Sequence, residues 1–302
     1  VADAATGKVH DVFTETVATQ YQSAPTLSSV NWRYLPESNE FLWFSQKSDW
    51  GHLYLHDLAT GKQKRQLTSG DWNVTRILRL DPATRELWVT GVGREAGRDP
   101  YFSHLYSLSL DGGQPRLLTP EDANHAVTLS GDGKYFVDVY STIASAPVAV
   151  LRDAAGQQVA ELAKTDLARL KAAGWVAPES FTVKARDGKT DLYGQMFKPS
   201  NFDPNRKYPI VTYIYPGPQV GSVRSRSFQP AHGDHQALAE LGFVVIAVDG
   251  MGTPLRSKSF QDAWYGDMAD NTLPDQVAAL KQLGERYPWI DTARAGMWGH
   301  SG

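Results

Sequence analysis

The strongest constraint on what this chain can fold into is an internal repeat. His52-Leu53-Tyr54, with Asp57-Leu58 behind it, returns 52 residues later as His104-Leu105-Tyr106 with Ser109-Leu110. Arg65-Gln66-Leu67-Thr68 returns 51 residues on as Arg116-Leu117-Leu118-Thr119. Around these copies lie short β-branched and aromatic runs, Phe41–Phe44, Leu53–Leu55, Glu86–Val89, Leu105–Leu108 and Tyr135–Val137, bounded by Gly, Asp and Asn. Such runs read as strands, and no helical periodicity interrupts them. A period of roughly 40 to 50 residues with about four strands each is the signature of β-propeller blades.

A weaker third copy runs from Tyr135 through Val148–Leu151 to Gly156–Leu162, and Thr6-Gly7-Lys8 echoes Thr60-Gly61-Lys62 as the tail of an earlier blade. About three blades are therefore expected over 1–162. Closed propellers hold about four to eight, so further blades are expected upstream of Val1.

Beyond Leu162 the pattern changes. A short helix is predicted after Thr165 or Asp166 as N-cap, ending at Gly174, within a linker over 163–180. From Phe181 a hairpin with an Asp187-Gly188 turn precedes apolar strands over Ile210–Tyr215, Phe243–Val248 and Ala295–Trp298, alternating with helices over Gln236–Leu241 and Pro274–Arg286. Apolar strands alternating with helices predict a mostly parallel sheet covered on both faces, with any site on its carboxyl edge. At 302 residues the chain is long enough for two such cores.

Charge and composition narrow the partners. Thirty Lys and Arg against 33 Asp and Glu leave a net charge of −3, without the basic patch that a nucleic acid would require. The longest apolar stretch, Phe243–Val248, is too short to span a membrane. With no Cys there is no disulfide frame, thiolate metal site or Cys nucleophile, and the compartment stays open between secretion and the cytosol.

The chemistry concentrates at the end, in Gly296-Met297-Trp298-Gly299-His300-Ser301-Gly302. These residues carry the first four positions of G-x-S-x-G, in which a strand turns sharply into a helix and small flanking residues let a strained Ser project its hydroxyl. A Ser hydroxyl needs a general base, and acyl transfer needs donors for the developing oxyanion. The usual order is Ser, acid, His, which puts both partners after Gly302; His300, as a neighbour within the elbow, points away from the nucleophile.

Together with this elbow, Tyr213-Ile214-Tyr215-Pro216-Gly217-Pro218 and Val248-Asp249-Gly250-Met251-Gly252-Thr253, following propeller blades, resemble the prolyl oligopeptidase family of serine peptidases, nearest its dipeptidyl peptidase IV branch. Trp50-Gly51-His52-Leu53-Tyr54 is similar to a blade motif of that branch. The resemblance implies an α/β-hydrolase domain, its N-terminal part over 181–302, capped by an eight-bladed propeller, and removal of N-terminal dipeptides after Pro or Ala. It implies Ser301 as nucleophile, with the Tyr215 hydroxyl and the Gly302 backbone N–H as oxyanion donors. Peptide substrates and a homodimer are implied, with no cofactor, and these residues alone are expected to be inactive without the base and acid.

Two departures stand out. The family's Asp-Gly-Arg-Gly is here Asp249-Gly250-Met251-Gly252, and the branch's glutamate pair, which holds the substrate's amino terminus, has no counterpart because the sequence contains no Glu-Glu. Two other readings stay open: an oligopeptidase or acylaminoacyl peptidase on the same framework, or an inactive propeller-hydrolase protein that only binds.

Other candidates carry less. His52 and His56 would lie about 13 Å apart along a strand, too far for one ion. His232-Gly233-Asp234-His235 precedes a helix, which points to Asp234 as a cap rather than to a metal site. No metal is predicted. Most aromatic residues fall in blade strands and are expected to wedge sheets together, whereas Trp264-Tyr265 follows the Asp249 loop and is a candidate lining for a substrate pocket.

Overall fold

The computed structural model describes residues 1–26, 30–215, 217–269 and 271–301. The chain divides into two compact units, Val1–Pro120 with Leu255–Lys258, and Glu121–Pro254 with Ser259–Gly302.

The first unit contains two antiparallel four-stranded meanders. One joins β1 (Arg33–Leu35), β2 (Glu40–Ser45), β3 (His52–Asp57) and β4 (Gln63–Gln66) in sequence order. The other joins β5 (Asn73–Asp81), β6 (Glu86–Val92), β7 (His104–Ser109) and β8 (Arg116–Leu117) in the same order. The inner strands are buried, whereas β4 is exposed along its length. Leu42, Phe44, Leu53, Leu87, Val89 and Tyr106 share one core. Trp72, just before β5, lies 5.4 Å from the Tyr106 ring and joins it there.

The repeat is carried by bonds as well as letters. Thr68 Oγ1 accepts from the Leu53 N–H at 3.1 Å and lies 3.0 Å from His52 Nδ1. Thr119 Oγ1 accepts from the Leu105 N–H at 3.0 Å, and His104 Nδ1 lies 3.0 Å from the Thr119 carbonyl. Each His–Thr pair thus pins a third strand to the segment beside it. The Thr-Gly-Lys echo is likewise one turn built twice. Asp3 and Asp57 each accept a Gly N–H through the carbonyl and a Thr N–H through the carboxylate. Gly7 and Gly61 supply the positive φ of 70° and 69° that this turn needs.

The second unit holds a third meander, β9 (Asn124–Leu129), β10 (Tyr135–Ser141), β11 (Val148–Asp153) and β12 (Gln158–Lys164). Three such sheets are fewer than the roughly four to eight blades of a closed propeller. This third sheet clusters with the strands and helices C-terminal to it, so the compact division falls at Pro120. The reason is a set of long-range bonds: Asn124 Nδ2 donates to Ser227 Oγ at 2.7 Å, and the Phe228 N–H donates to Ser141 Oγ at 3.0 Å.

A buried ionic group ties the third sheet together. Arg152 donates from Nε to Asp138 at 3.0 Å and from Nη2 to Glu121 at 2.6 Å, while His125 Nδ1 lies 2.9 Å from the same Asp138 carboxylate. Asp138 is completely buried.

Helix α1 (Ala168–Ala172) comes next, and Gly174 ends it at φ 90° as expected. Its cap position is Leu167 rather than Thr165 or Asp166. Asp166 still serves the helix, because its carboxylate reaches forward to the Ala168 N–H at 2.8 Å.

The remaining strands are β13 (Glu179–Lys184), β14 (Asp191–Phe197), β15 (Tyr208–Ile214), β16 (Val244–Val248) and β17 (Ile290–Gly299). They form one mixed sheet in the order β13-β14-β16-β15-β17. The first three are antiparallel neighbours, and β15 runs parallel to both β16 and β17. Between them lie α2 (His235–Glu240), α3 (Lys258–Gln261) and α4 (Leu273–Arg286). Strand β16, buried at every residue, is the apolar centre, and Ala279 and Leu283 of α4 pack into the same core. From β15 the chain steps to one side for β16 and to the other for β17. The carboxyl end of β15 is therefore the topological switch point, where open α/β sheets place their ligand crevice.

Candidate active site

Two residues singled out from the sequence emerge at this switch point. Strand β17 pairs with β15 through Tyr213 opposite Trp298 and Ile214 opposite Gly299. Tyr215 is thus the first residue past one strand end, and Ser301 lies two residues past its neighbour. Ser301 is exposed, at φ 70°, in the left-handed region that a non-Gly residue occupies only under constraint. Part of that constraint is visible at Gly299, where a Cβ would meet the Ile214 carbonyl oxygen at 2.4 Å. The expected small residue before the elbow is therefore dictated by the adjacent strand. Gly302 and Pro216 lie outside the described residues.

Tyr215 is largely buried. Its N–H donates to Ser222 Oγ at 3.0 Å, and the Arg224 guanidinium lies 5.6 Å from its ring. Its hydroxyl accepts a hydrogen bond from Gln219 Nε2 at 2.7 Å. An accepting phenol keeps its own proton available to donate.

The Asp249 loop is held at the end of β16. The buried Asp249 carboxylate accepts from the Val223 N–H at 2.9 Å and from Arg226 Nη2 at 2.7 Å. Asp275, fully buried in α4, accepts from the Met251 N–H at 2.7 Å and from the Arg186 N–H at 2.8 Å, with the Arg186 side chain completing the ion pair. The departure from Asp-Gly-Arg-Gly thus leaves a loop anchored by two carboxylates, with Met251 packed against the core.

Beside the elbow is a cavity of about 610 Å³ lined by Tyr213, Arg224, His232, His235, Trp298 and His300, among others. Burial lowers the pKa of His232, and it pushes that of His235 down to about 4, helped by neighbouring His232. Asp234 stands at the cap position of α2 but makes no side-chain cap hydrogen bond, contrary to expectation. At φ −90° and ψ 5° its backbone lacks the extended geometry from which a cap side chain reaches the first-turn amides.

Trp264 and Tyr265 do not join this cavity. Their rings meet edge-on at 5.6 Å, and Tyr265 is half exposed. His52 and His56 are spent on blade bonds, His52 with Thr68 and Gly70 and His56 with Gly61. Among the described residues one group of metal-type ligands, Glu121, His125 and Asp138, brings its donor atoms within 4.8 Å of one another. Arg152 already supplies the positive charge that both carboxylates need.

Sequence reasoning missed Gln219, Arg224, Arg226 and Asp275. The first three follow the Pro-Gly-Pro segment within ten residues, where a compact loop returning to its own strand end was the available signal.

Comparison with known proteins bears on this arrangement. Residues 1–147 match the family described as dipeptidyl peptidase IV (DPP IV) N-terminal region, and residues 231–302 match the prolyl oligopeptidase family. The chain belongs to the prolyl oligopeptidase family. Within this family its relatives are of the dipeptidyl peptidase IV kind. Human dipeptidyl peptidase 8 is 30% identical over 252 residues, 80% of this chain and 28% of that protein. Porphyromonas gingivalis dipeptidyl peptidase 4 superposes with a TM-score of 0.73 at 26% identity, over 87% of this chain and 36% of that one. Dipeptidyl peptidase 4 of Arthroderma otae is 28% identical over 85% of this chain and 33% of its own length. The chain thus spans about a third of the relatives it matches. No helix among the described residues is long and apolar enough to cross a membrane.

Proposed function

We propose that this chain contributes the nucleophile and two oxyanion donors of a serine exopeptidase that releases N-terminal dipeptides, Xaa-Pro or Xaa-Ala, through an acyl-enzyme. In this reading 1–162 is part of a β-propeller, 163–180 a linker, and 181–302 the first part of an α/β-hydrolase domain. The observation that carries it is the left-handed Ser301 two residues past β17, beside the strand whose end is followed by Tyr215. That pairing is what acyl transfer requires: a hydroxyl lifted from the sheet edge, and a donor beside it for the charge that develops on the carbonyl oxygen.

The chemistry runs in two stages. Ser301 Oγ attacks the carbonyl carbon of the scissile bond as a general base takes its proton, and the oxygen becomes an anion facing Tyr215 Oη and the Gly302 N–H. Collapse expels the amine, which takes up the proton, and water then releases the dipeptide by the same steps.

The test is steady-state kinetics of the full-length protein on a chromogenic Gly-Pro substrate. Ser301→Ala should abolish turnover, and Tyr215→Phe should lower kcat by about 10² to 10³. An N-acetylated Gly-Pro substrate should be rejected if carboxylates hold the free amine. Equal turnover of the two substrates favours the oligopeptidase reading, and a Tyr215→Phe change under threefold returns Tyr215 to a packing role.

A further inference from the structure

Resting on the reading of Tyr215 as an oxyanion donor, we infer that Gln219 is a positioning residue that orients the Tyr215 hydroxyl. A phenol oxygen can point its single proton in either in-plane direction. In solution nothing chooses between them. Here the Gln219 side-chain amide donates into that oxygen at 2.7 Å, occupying a lone pair on one side. The amide proton and the hydroxyl proton cannot share that direction, so the hydroxyl proton turns to the other side of the oxygen. The donor is then oriented before any substrate arrives, which is the condition under which an oxyanion donor is most effective.

The local chain is shaped for this contact. Gln219, four positions on from Tyr215, reaches back to its hydroxyl. Gly217 sits in the crook: a Cβ there would meet Tyr215 Cε1 at 2.4 Å and the two polar atoms of the Gln219 amide at 2.9 and 3.0 Å. Any larger residue at 217 would drive the amide off the phenol. The Tyr215 ring is itself fixed by burial and by the Ser222 bond to its backbone, so the hydroxyl rotor is the one freedom left for Gln219 to set.

The experiment is a double-mutant cycle on the full-length protein with a chromogenic Gly-Pro substrate. Gln219→Met keeps the side chain's bulk and removes the donor, and should lower kcat about fivefold to tenfold, the worth of one hydrogen bond, with KM within twofold. In the Tyr215→Phe background the same change should cost nothing further. Gln219→Glu places an acceptor where the donor stood and draws the phenol proton towards itself. Its loss should exceed that of Gln219→Met near neutral pH and shrink as the pH falls and the new carboxyl protonates. Gln219→Asn, one methylene short, controls for packing.

A loss under twofold in Gln219→Met, or an equal loss in both backgrounds, overturns the assignment. So does a pH profile for Gln219→Glu that parallels the wild type. If Tyr215→Phe alone changes kcat by less than threefold, the failure lies with the oxyanion reading instead.

Discussion

The first two meanders and the third have the same four-stranded plan but hold it by different means. In β3 and β7 the repeated His is matched to a Thr, through hydrogen bonds among a ring nitrogen, a hydroxyl, a carbonyl and a backbone N–H. In β10 and β11 the corresponding centre is Asp138 and Arg152, buried together with His125 and reaching Glu121 before β9. Neutral hydrogen bonds are individually modest and tolerate loss, whereas a buried ion pair is costly to assemble and much costlier to break from one side. The same architecture therefore contains two kinds of fragility. The His–Thr links should fail gradually and the Asp138–Arg152 group abruptly.

Four substitutions would break or sharpen that contrast. The largest effect is expected from Arg152→Met, which leaves the Asp138 carboxylate fully buried without its cation and should cost about 3 to 5 kcal/mol. Adding Asp138→Asn should recover much of the loss. Urea unfolding gives the total, and hydrogen exchange at β10 and β11 shows whether it falls on the second unit. An Arg152→Met cost no greater than that of a His–Thr break would erase the distinction. Next is Thr119→Val, which keeps the volume but strands the buried Leu105 N–H and should cost about 2 kcal/mol in the same unfolding measurement.

The smallest effect is a pH slope. Burial lowers the pKa of His52 and of His56, so both protonate less readily in the folded state than in the unfolded chain, which takes up protons near the ordinary value of 6.5. Below that value the unfolded state binds more protons, so stability is whole above it and declines as the pH falls towards the depressed folded pKa. The melting temperature should therefore drop between pH 7.5 and 5.5, and His52→Gln should flatten the decline. An unchanged slope in that variant would mean that other groups, such as the buried His235, carry it.

Much of this was legible because it is local or periodic. The repeat located β3 and β7, turn residues located Gly61 and Gly174, and the apolar run Val244–Val248 located the central strand. Gly299 was legible because sheet geometry demands a small residue there. What was not legible depends on pairing across distance. Glu121, His125, Asp138 and Arg152 are four ordinary polar residues until β9, β10 and β11 align them. Strand β17 begins at Ile290, well before its expected start at Ala295, because polar Asp291 and Thr292 conceal it from an apolar pattern. The attachment of the third meander to the second unit rests on Ser227 and Phe228, more than 80 residues away.

The close approach of Gly299 to Ile214 has a mechanical consequence. Because no side chain separates them, the backbone before Ser301 rests directly against the backbone before Tyr215, as two fingers of one hand rather than two hinged parts. Motion of the sheet edge then carries the two backbone segments together. The spacing of the two strand ends is thus set by peptide units in contact, which bend far less than side chains rotate.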